Sequence, residues 1–187
     1  MSALIRPLLP ADLPLLARLD ANYVADSELA LEREQQGLNV TFRLVERARP
    51  FAYVKRAGYD FGASYQGDLA TRIAVGQGLY LAAEQNGELV GFLDAEPDGW
   101  RPTATLLWVV VGRPWRGQGL GRQLIERAIG WTRARGLRAL VLETQTTNID
   151  ACRFYLRMGF TLSGVQSPYY FDERVAEEQA LFWTYEA

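Results

Sequence analysis

The chain has 187 residues, 49% of them hydrophobic, with one cysteine, no histidine and a formal net charge of −2. These values predict one globular domain over residues 1–187, and they argue against an internal disulfide, against nucleic acid as a partner and against a metal cofactor. No run of about eighteen apolar residues predicts a membrane span, and the first six residues do not resemble a signal peptide, so we expect a cytoplasmic protein with no membrane partner.

Strands and helices alternate in the first half of the chain. The pattern of apolar residues predicts a strand over residues 4–6, a helix over residues 10–20 and an alternating strand over residues 40–46. The acidic segment 26–34 is compatible with a second helix, although a solvent-exposed face explains its charges better. The aromatic region 50–76 indicates a substrate-facing loop or short helix, or ordinary packing. The function of this first part of the chain is therefore left open.

Two turns then divide the chain into predicted antiparallel strands. Asn86-Gly87 lies between strand-like runs at residues 79–84 and 89–96. Asn-Gly in this position is the strongest short-range signal for a β-hairpin, since its turn requires positive φ angles. A second turn at residues 97–99 leads to the apolar strand 106–111. We expect these three strands to lie side by side.

The stretch 109–121, VVVGRPWRGQGLG, joins a buried strand to a helix through a glycine-rich turn. Glycine lets the backbone approach a ligand closely, and the first N–H groups of a helix have no partner within it. The helix dipole adds about half a positive charge there, and Arg116 and Arg122 add whole charges. The turn therefore predicts a phosphate site, with the alternative that it only starts a helix.

Two common phosphate motifs are excluded by the spacing of this turn. In a P-loop a lysine follows the second glycine, and here that position is Gln118. A dinucleotide fingerprint reads G-x-G-x-x-G, and here the third glycine, Gly121, comes one residue early.

A second strand follows the helix, which is expected to end near Gly136. Residues 137–143 predict that strand, and strand, helix and strand together make a βαβ unit with parallel strands. Runs at residues 161–165 and 180–185 are expected to close the sheet. The predicted fold class is α/β, with a mixed, mostly antiparallel central sheet, one parallel βαβ pair and helices on both faces.

Two motifs in this half of the chain carry a family resemblance. Residues 116–121 resemble the R-x-x-G-x-G/A signature of the GNAT acyltransferase superfamily, and residues 148–160 match its N-x-x-A-x-x-x-Y-x-x-x-G-F segment at every named position. Roughly the last third of the chain is further similar to the streptothricin acetyltransferases, a branch that inactivates an aminated antibiotic. That likeness is carried by Leu142–Thr146, Asn148, Ala151, Cys152, Tyr155, Gly159–Leu162, Gly164, Tyr170 and Ala180–Trp183.

The resemblance implies that acetyl-CoA is the co-substrate and that its acetyl group passes directly to a primary amine. It implies that the turn holds the pyrophosphate, that the backbone of residues 109–111 pairs with the pantetheine arm, and that Tyr155 protonates the leaving thiolate. A phenol suits that role because its usual pKa is about 10. The cofactor-binding residues implied are Val109, Val110, Val111, Arg116, Gly117, Gln118, Gly119, Leu120, Gly121, Arg122, Asn148, Ala151 and Tyr155.

The group that accepts the amine proton is less well defined. Many relatives carry an acidic residue in the strand before the turn, and here residues 107–109 contain none. Glu143, on the neighbouring strand, is therefore the first candidate for a catalytic base, or for an ion pair with a cationic substrate. Asp94 and Glu96, which alternation places on one strand face, and Tyr170 are further candidates for substrate binding. Cys152 is expected to be a buried apolar residue rather than a nucleophile, because no histidine can activate it.

The resemblance favours an N-acetyltransferase acting on streptothricin or a similar cationic small molecule. The alternatives are acetylation of a protein N-terminus, a polyamine or another metabolite amine, and, from a different class, an acyl-CoA-binding regulatory domain without turnover. Release of free thiol in the presence of amines separates the enzyme from the binding domain. Whether the protein is a monomer or a homodimer is left open.

Overall fold

The computed structural model of this protein describes residues 3–55, 59–170, 173–175 and 177–187. Two predictions fall partly outside the described residues. They concern the N-terminal segment, at residues 1–2, and the aromatic region, at residues 56–58. None of the described helices has the length and apolarity needed to cross a membrane. The helices are α1 (Leu13–Leu16), α2 (Ala63–Val75), α3 (Leu120–Ala134) and α4 (Ile149–Arg157). The strands are β1 (Leu4–Pro7), β2 (Tyr23–Gln36), β3 (Asn39–Lys55), β4 (Leu79–Gln85), β5 (Glu88–Pro97), β6 (Thr103–Val111), β7 (Ala139–Gln145), β8 (Thr161–Gln166) and β9 (Ala180–Glu186).

Seven strands form one mixed sheet in the order β1-β4-β5-β6-β7-β9-β8. Within the described residues β6 and β7 pair in parallel, while every other neighbouring pair is antiparallel. The hairpin between β4 and β5 turns at Asn86, with φ of 53°, and Gly87, with φ of 79°. The predicted fold class, including the Asn-Gly hairpin and the βαβ unit, is confirmed.

The sheet separates two hydrophobic clusters. On one face α1 and α2 pack against Phe92 and Val110. On the other face α3 and α4 pack against Leu93 and Leu106. Because successive side chains of a strand point to opposite faces, neighbours such as Phe92 and Leu93 serve different clusters. The expected placement of helices on both faces is therefore confirmed.

Three predictions for the first half of the chain are corrected. The acidic segment 26–34 is not a helix, because it lies within β2, which pairs with β3 in a separate two-stranded sheet. The helix predicted over residues 10–20 is a 3-10 turn at residues 10–12 followed by the single-turn α1. The aromatic region continues β3 to Lys55 and then forms α2, a helix of 13 residues rather than a short one.

A β-bulge in β6 opens the sheet. Trp108 pairs with Asp94 and Leu106 pairs with Ala95, so Leu107 has no partner residue on β5. The parallel ladder between β6 and β7 runs only from Thr103 to Leu106. Beyond the bulge the two strands part, and a crevice opens at their carboxyl ends, the place where α/β sheets bind ligands.

Candidate active site

The crevice between β6 and β7 widens into a cleft of about 590 Å³. The amino end of α3 and one side of α4 complete its walls. Most of the predicted site residues lie along it. They are Val109, Val110, Val111, Arg116, Gly117, Gly119, Leu120, Gly121, Arg122, Glu143, Asn148, Ala151 and Tyr155.

The glycine turn presents its main-chain N–H groups to this cleft. Gly119 precedes α3 with φ of 82°, and Gly117 has φ of 77°, both in the left-handed region that favours glycine. In the described part of the chain, the N–H groups of residues 117–122 have no hydrogen-bond acceptor. A Cβ at Gly117 or Gly119 would meet no atom within 4 Å. Consecutive unsatisfied donors at a helix N-terminus, with open space above them, suit an anion such as a phosphate.

Two polar side chains of the turn do not point at such an anion. Arg116 donates to main-chain oxygens, at 3.0 Å to Val111 and 2.9 Å to Asn22. It therefore ties the turn to the end of β6 and to the segment before β2. Gln118 lies outside the cleft lining, with its Nε2 3.4 Å from the oxygen of Pro114. Arg122 lies at the mouth of the cleft beside Glu126, at 2.7 Å.

After Leu106, no strand of the described residues pairs with the edge of β6 that faces β7. Residues 109–111 pair with β5 on their other edge. The polar main-chain groups on the open edge can therefore bond to an extended ligand, as an added strand would.

Helix α4 and its N-cap residue contribute side chains to the cleft. Asn148 caps the helix, its Oδ1 3.4 Å from the nitrogen of Ala151. Tyr155 is only 7% exposed, and its hydroxyl has no hydrogen-bond partner among the described residues. Burial raises the pKa of Tyr155 above its usual value, so the hydroxyl keeps its proton at neutral pH.

The neighbouring Cys152 is buried and lies outside the cleft lining. Burial raises the pKa of its thiol to about 12, so the reactive thiolate is absent at neutral pH.

Glu143 faces the cleft from β7. Its Oε1 accepts a hydrogen bond from the Tyr170 hydroxyl and lies 3.5 Å from the Gln145 amide, while no described residue bonds to its Oε2. Burial raises the pKa of Glu143, an effect that the Tyr170 hydrogen bond opposes. One oxygen is thus fixed by the protein and the other is left for a ligand.

Asp94 and Glu96 do share a strand face, as expected, and Arg72 of α2 packs against it. Arg72 of α2 binds Asp94 through two nitrogens, at 2.7 and 2.8 Å, and Glu96 at 3.1 Å. Asp94 is fully buried, and neither carboxylate lines the cleft. Neither carboxylate therefore joins Glu143 in the cleft, because both are bonded to Arg72. No three His, Cys, Asp or Glu side chains of the described residues are grouped to hold a metal ion.

Several residues at the acceptor end of the cleft were missed by sequence reasoning. Tyr59 lines the cleft and its hydroxyl lies 3.3 Å from Oε1 of Gln145. Its ring packs edge to face on Trp108, with centroids 5.8 Å apart, and Tyr23 lies alongside. The aromatic richness of residues 50–76 was the available signal, and Tyr59 is the member of that region that reaches the cleft.

Comparisons with known proteins agree with this geometry. The profile of the acetyltransferase (GNAT) family matches residues 41–160. A streptothricin acetyltransferase from Escherichia coli is 38% identical over 97 residues, which cover 51% of this chain and 55% of that protein. The chain thus spans about half the length of the curated relatives it matches.

Solved structures share the whole fold. The crystal structure of nourseothricin acetyltransferase superposes with a TM-score of 0.82 at 26% identity, covering 100% of this chain and 99% of that one. A structure from Bacillus anthracis str. Ames in complex with acetyl coenzyme A gives a TM-score of 0.79 at 24% identity, covering 100% and 98%. Given the family profile, the bulged sheet and the glycine turn, this chain belongs to the GNAT acetyltransferase family.

Proposed function

We propose that the protein transfers the acetyl group of acetyl-CoA directly to a primary amine of a cationic small molecule, with streptothricin as the first candidate. The observation that carries the proposal is the run of unsatisfied N–H groups at residues 117–122, which opens into the same cleft as Tyr155 and Glu143. The names of the relatives support the substrate class, since streptothricin acetyltransferases from Escherichia coli and Bacillus subtilis are 38% and 35% identical to matched parts of the chain.

The residues present fit acetyl-CoA. The diphosphate would lie on the N–H groups of the turn, where the helix dipole favours negative charge. The pantetheine arm would run along the open edge of residues 109–111, beside Asn148. When bound, acetyl-CoA supplies an activated acetyl group at the point where β6 and β7 separate.

The acceptor amine must reach the acetyl carbon in its neutral form. Glu143 offers Oε2 to hold an ammonium group or to take its proton. As the nitrogen–carbon bond forms and the carbon–sulfur bond breaks, Tyr155 donates its proton to the leaving sulfur. The raised pKa of Tyr155 suits a donor and the raised pKa of Glu143 suits an acceptor, so the two groups divide acid and base work between them.

A panel assay tests the proposal. The purified protein is incubated with acetyl-CoA and streptothricin, a polyamine or a peptide with a free N-terminus, and thiol release is followed alongside mass spectrometry of each amine. We expect thiol release with streptothricin and the mass of one added acetyl group on it. Acetylation of the polyamine alone would overturn streptothricin as the first candidate, and acetylation of the peptide alone would contradict the substrate class. Binding of coenzyme A without thiol release from any amine would instead identify a non-catalytic acyl-CoA-binding domain.

A further inference from the structure

A buried ion pair lies behind the acceptor end of the cleft. Lys55, at the end of β3, is 4% exposed, and Glu178, shortly before β9, is 2% exposed. The Lys55 Nζ lies 2.8 and 2.6 Å from the two carboxylate oxygens of Glu178. Tyr53 donates a hydrogen bond to the same carboxylate, and Thr147 Oγ1 lies 3.5 Å from it. Burying two charges costs free energy, so the pair contributes little to stability. Its presence therefore suggests a role other than stabilising the fold.

The Lys55 ammonium also touches the residues that hold Glu143. It lies 5.7 Å from the ring centroid of Tyr59 and 6.0 Å from that of Tyr170, distances typical of cation–π contacts. Tyr170 bonds directly to Glu143. Tyr59 reaches the same carboxylate through Gln145. The ion pair is therefore linked to Glu143 by two separate routes, one through Tyr170 alone and one through Tyr59 and Gln145.

We propose that Lys55 is a positioning residue for Glu143, holding its two tyrosine neighbours in place and offsetting the negative charge of Glu178 beside it. The inference rests on the proposed function, because it gives Glu143 the task of binding or deprotonating the amine. It adds a segment, the end of β3, that neither sequence motif contains.

The charged and titratable groups near Glu143 belong to the segment before β9, to the end of β3 and the residues after it, and to α4. Tyr170 precedes β9 and donates to it, Tyr59 follows β3, and Tyr155 faces it from α4. Glu178 raises the pKa of Glu143 and Lys55 lowers it, so these two contributions oppose each other. Removing Lys55 leaves the negative charge of Glu178 uncompensated and raises that pKa further. Removing the Glu178 charge has the opposite effect.

Two substitutions with opposite predicted signs test the inference. In Lys55→Met, the acidic limb of kcat/KM moves to higher pH, by about 1 unit, the lower end of what a neighbouring charge produces. In Glu178→Gln the limb moves to lower pH. In Lys55→Met the KM for the amine rises about tenfold while the KM for acetyl-CoA stays within about twofold of wild type, because the glycine turn is untouched. Lys55→Arg keeps the charge and restores both values.

A control separates this role from simple loss of an ion pair. Arg6 lies on β1, and its Nη1 is 2.6 Å from Oδ2 of the buried Asp12. Neither residue lines the cleft. Arg6→Met therefore lowers stability without moving the limb or the amine KM. Two results would show that Lys55 has only a structural role. One is an acidic limb of kcat/KM that moves equally and in the same direction in Lys55→Met and Glu178→Gln. The other is an equal rise of the KM for the amine and the KM for acetyl-CoA in Lys55→Met.

A second measurement does not depend on turnover. The carboxyl carbon of Glu143, assigned by comparison with Glu143→Gln, is titrated by ¹³C NMR in the full-length protein. Its midpoint should move up in Lys55→Met and down in Glu178→Gln, and unmoved midpoints would overturn the inference. If the wild-type protein acetylates no amine, the proposed function fails while this titration still decides the role of Lys55. Should Lys55→Met not fold, the Glu178→Gln and Lys55→Arg titrations decide it instead.

Discussion

The Tyr155 hydroxyl differs from those of the other tyrosines near the sheet. Tyr23 bonds to Thr147 at 2.7 Å, and Tyr65 bonds to Asp94 at 2.8 Å. Tyr155 is as deeply placed, yet no described residue accepts or donates at its hydroxyl. The hydroxyl opens onto the cleft, where a ligand can bond to it.

Replacing Tyr155 by phenylalanine tests this contrast. Because no internal hydrogen bond is lost, we expect unchanged stability and unchanged affinity for acetyl-CoA. The proton for the leaving sulfur is lost, so kcat should fall by about 10²–10⁴. Thermal unfolding, calorimetry with coenzyme A and steady-state kinetics measure the three quantities. Tyr65→Phe is the matched control, since it loses a buried bond to Asp94 and should lower stability while kcat is retained. An undiminished kcat in Tyr155→Phe would remove the residue from the mechanism.

At the scale of elements, the amino end of α3 is where we propose that the coenzyme diphosphate binds. Its left-handed glycines serve two purposes at once, since they allow the sharp turn and leave the space above the N–H groups open. The opposite end of the same helix offers a comparison. Gly136 also has a positive φ, of 67°, and a Cβ there would also meet no atom within 4 Å.

Gly119→Ala and Gly136→Ala therefore form a matched pair. Each places a Cβ in left-handed backbone, so each should lower the free energy of unfolding by about 1–2 kcal/mol. Only Gly119→Ala should also weaken coenzyme A binding, because only that turn faces the cleft. Chemical denaturation and titration calorimetry measure the two effects. Equal coenzyme A affinity in both variants would contradict the assignment of the turn as the diphosphate site.

The elements that could be predicted from the sequence are those with local signals. The Asn86-Gly87 turn and the helix between Gly119 and Gly136 are each indicated by residues a few positions apart. The strand β2 could not be predicted, because its acidic residues are partnered far away. Glu32 pairs with Arg47, and the Leu29 N–H bonds to the oxygen of Thr146.

The same distinction explains the candidate site. Alternation placed Asp94 and Glu96 on one face, but only the folded chain shows that Arg72 of α2 occupies that face. Glu143 was found because it lies on the predicted strand next to the one that enters the glycine turn. Lys55 and Glu178 are separated by 123 residues, and no sequence spacing could join them.

At the scale of the whole molecule, Glu143 ties stability to pH. Its pKa is higher in the folded state than in the unfolded chain because it is buried. The folded protein therefore holds this proton more tightly, and its stability falls as pH rises from the unfolded pKa, about 4.3, through the folded one. At slightly alkaline pH the ionised Glu143 carboxylate therefore lowers the free energy of unfolding, and an uncharged side chain at this position would raise it.

We therefore expect Glu143→Gln to melt a few degrees above wild type at pH 8 and close to wild type at pH 4. Differential scanning calorimetry at the two pH values measures the difference. Glu88→Gln, at an exposed position, is the control and should leave the melting temperature unchanged at both. A variant that melts lower than wild type at pH 8 would show that the carboxylate stabilises the fold instead of burdening it.

The bulge at Leu107 separates two walls of the cleft, and the two walls differ in how their residues are distributed along the sequence. The coenzyme wall is built largely from one continuous segment, from the end of β6 into α3. The acceptor wall contains Tyr59 and Glu143 from distant segments, and Tyr170 holds Glu143 from outside the lining. We therefore expect that single substitutions in the acceptor wall change the amine selectivity during evolution. The proposed acetyl-CoA site, which lies on a different segment, is left unchanged by them.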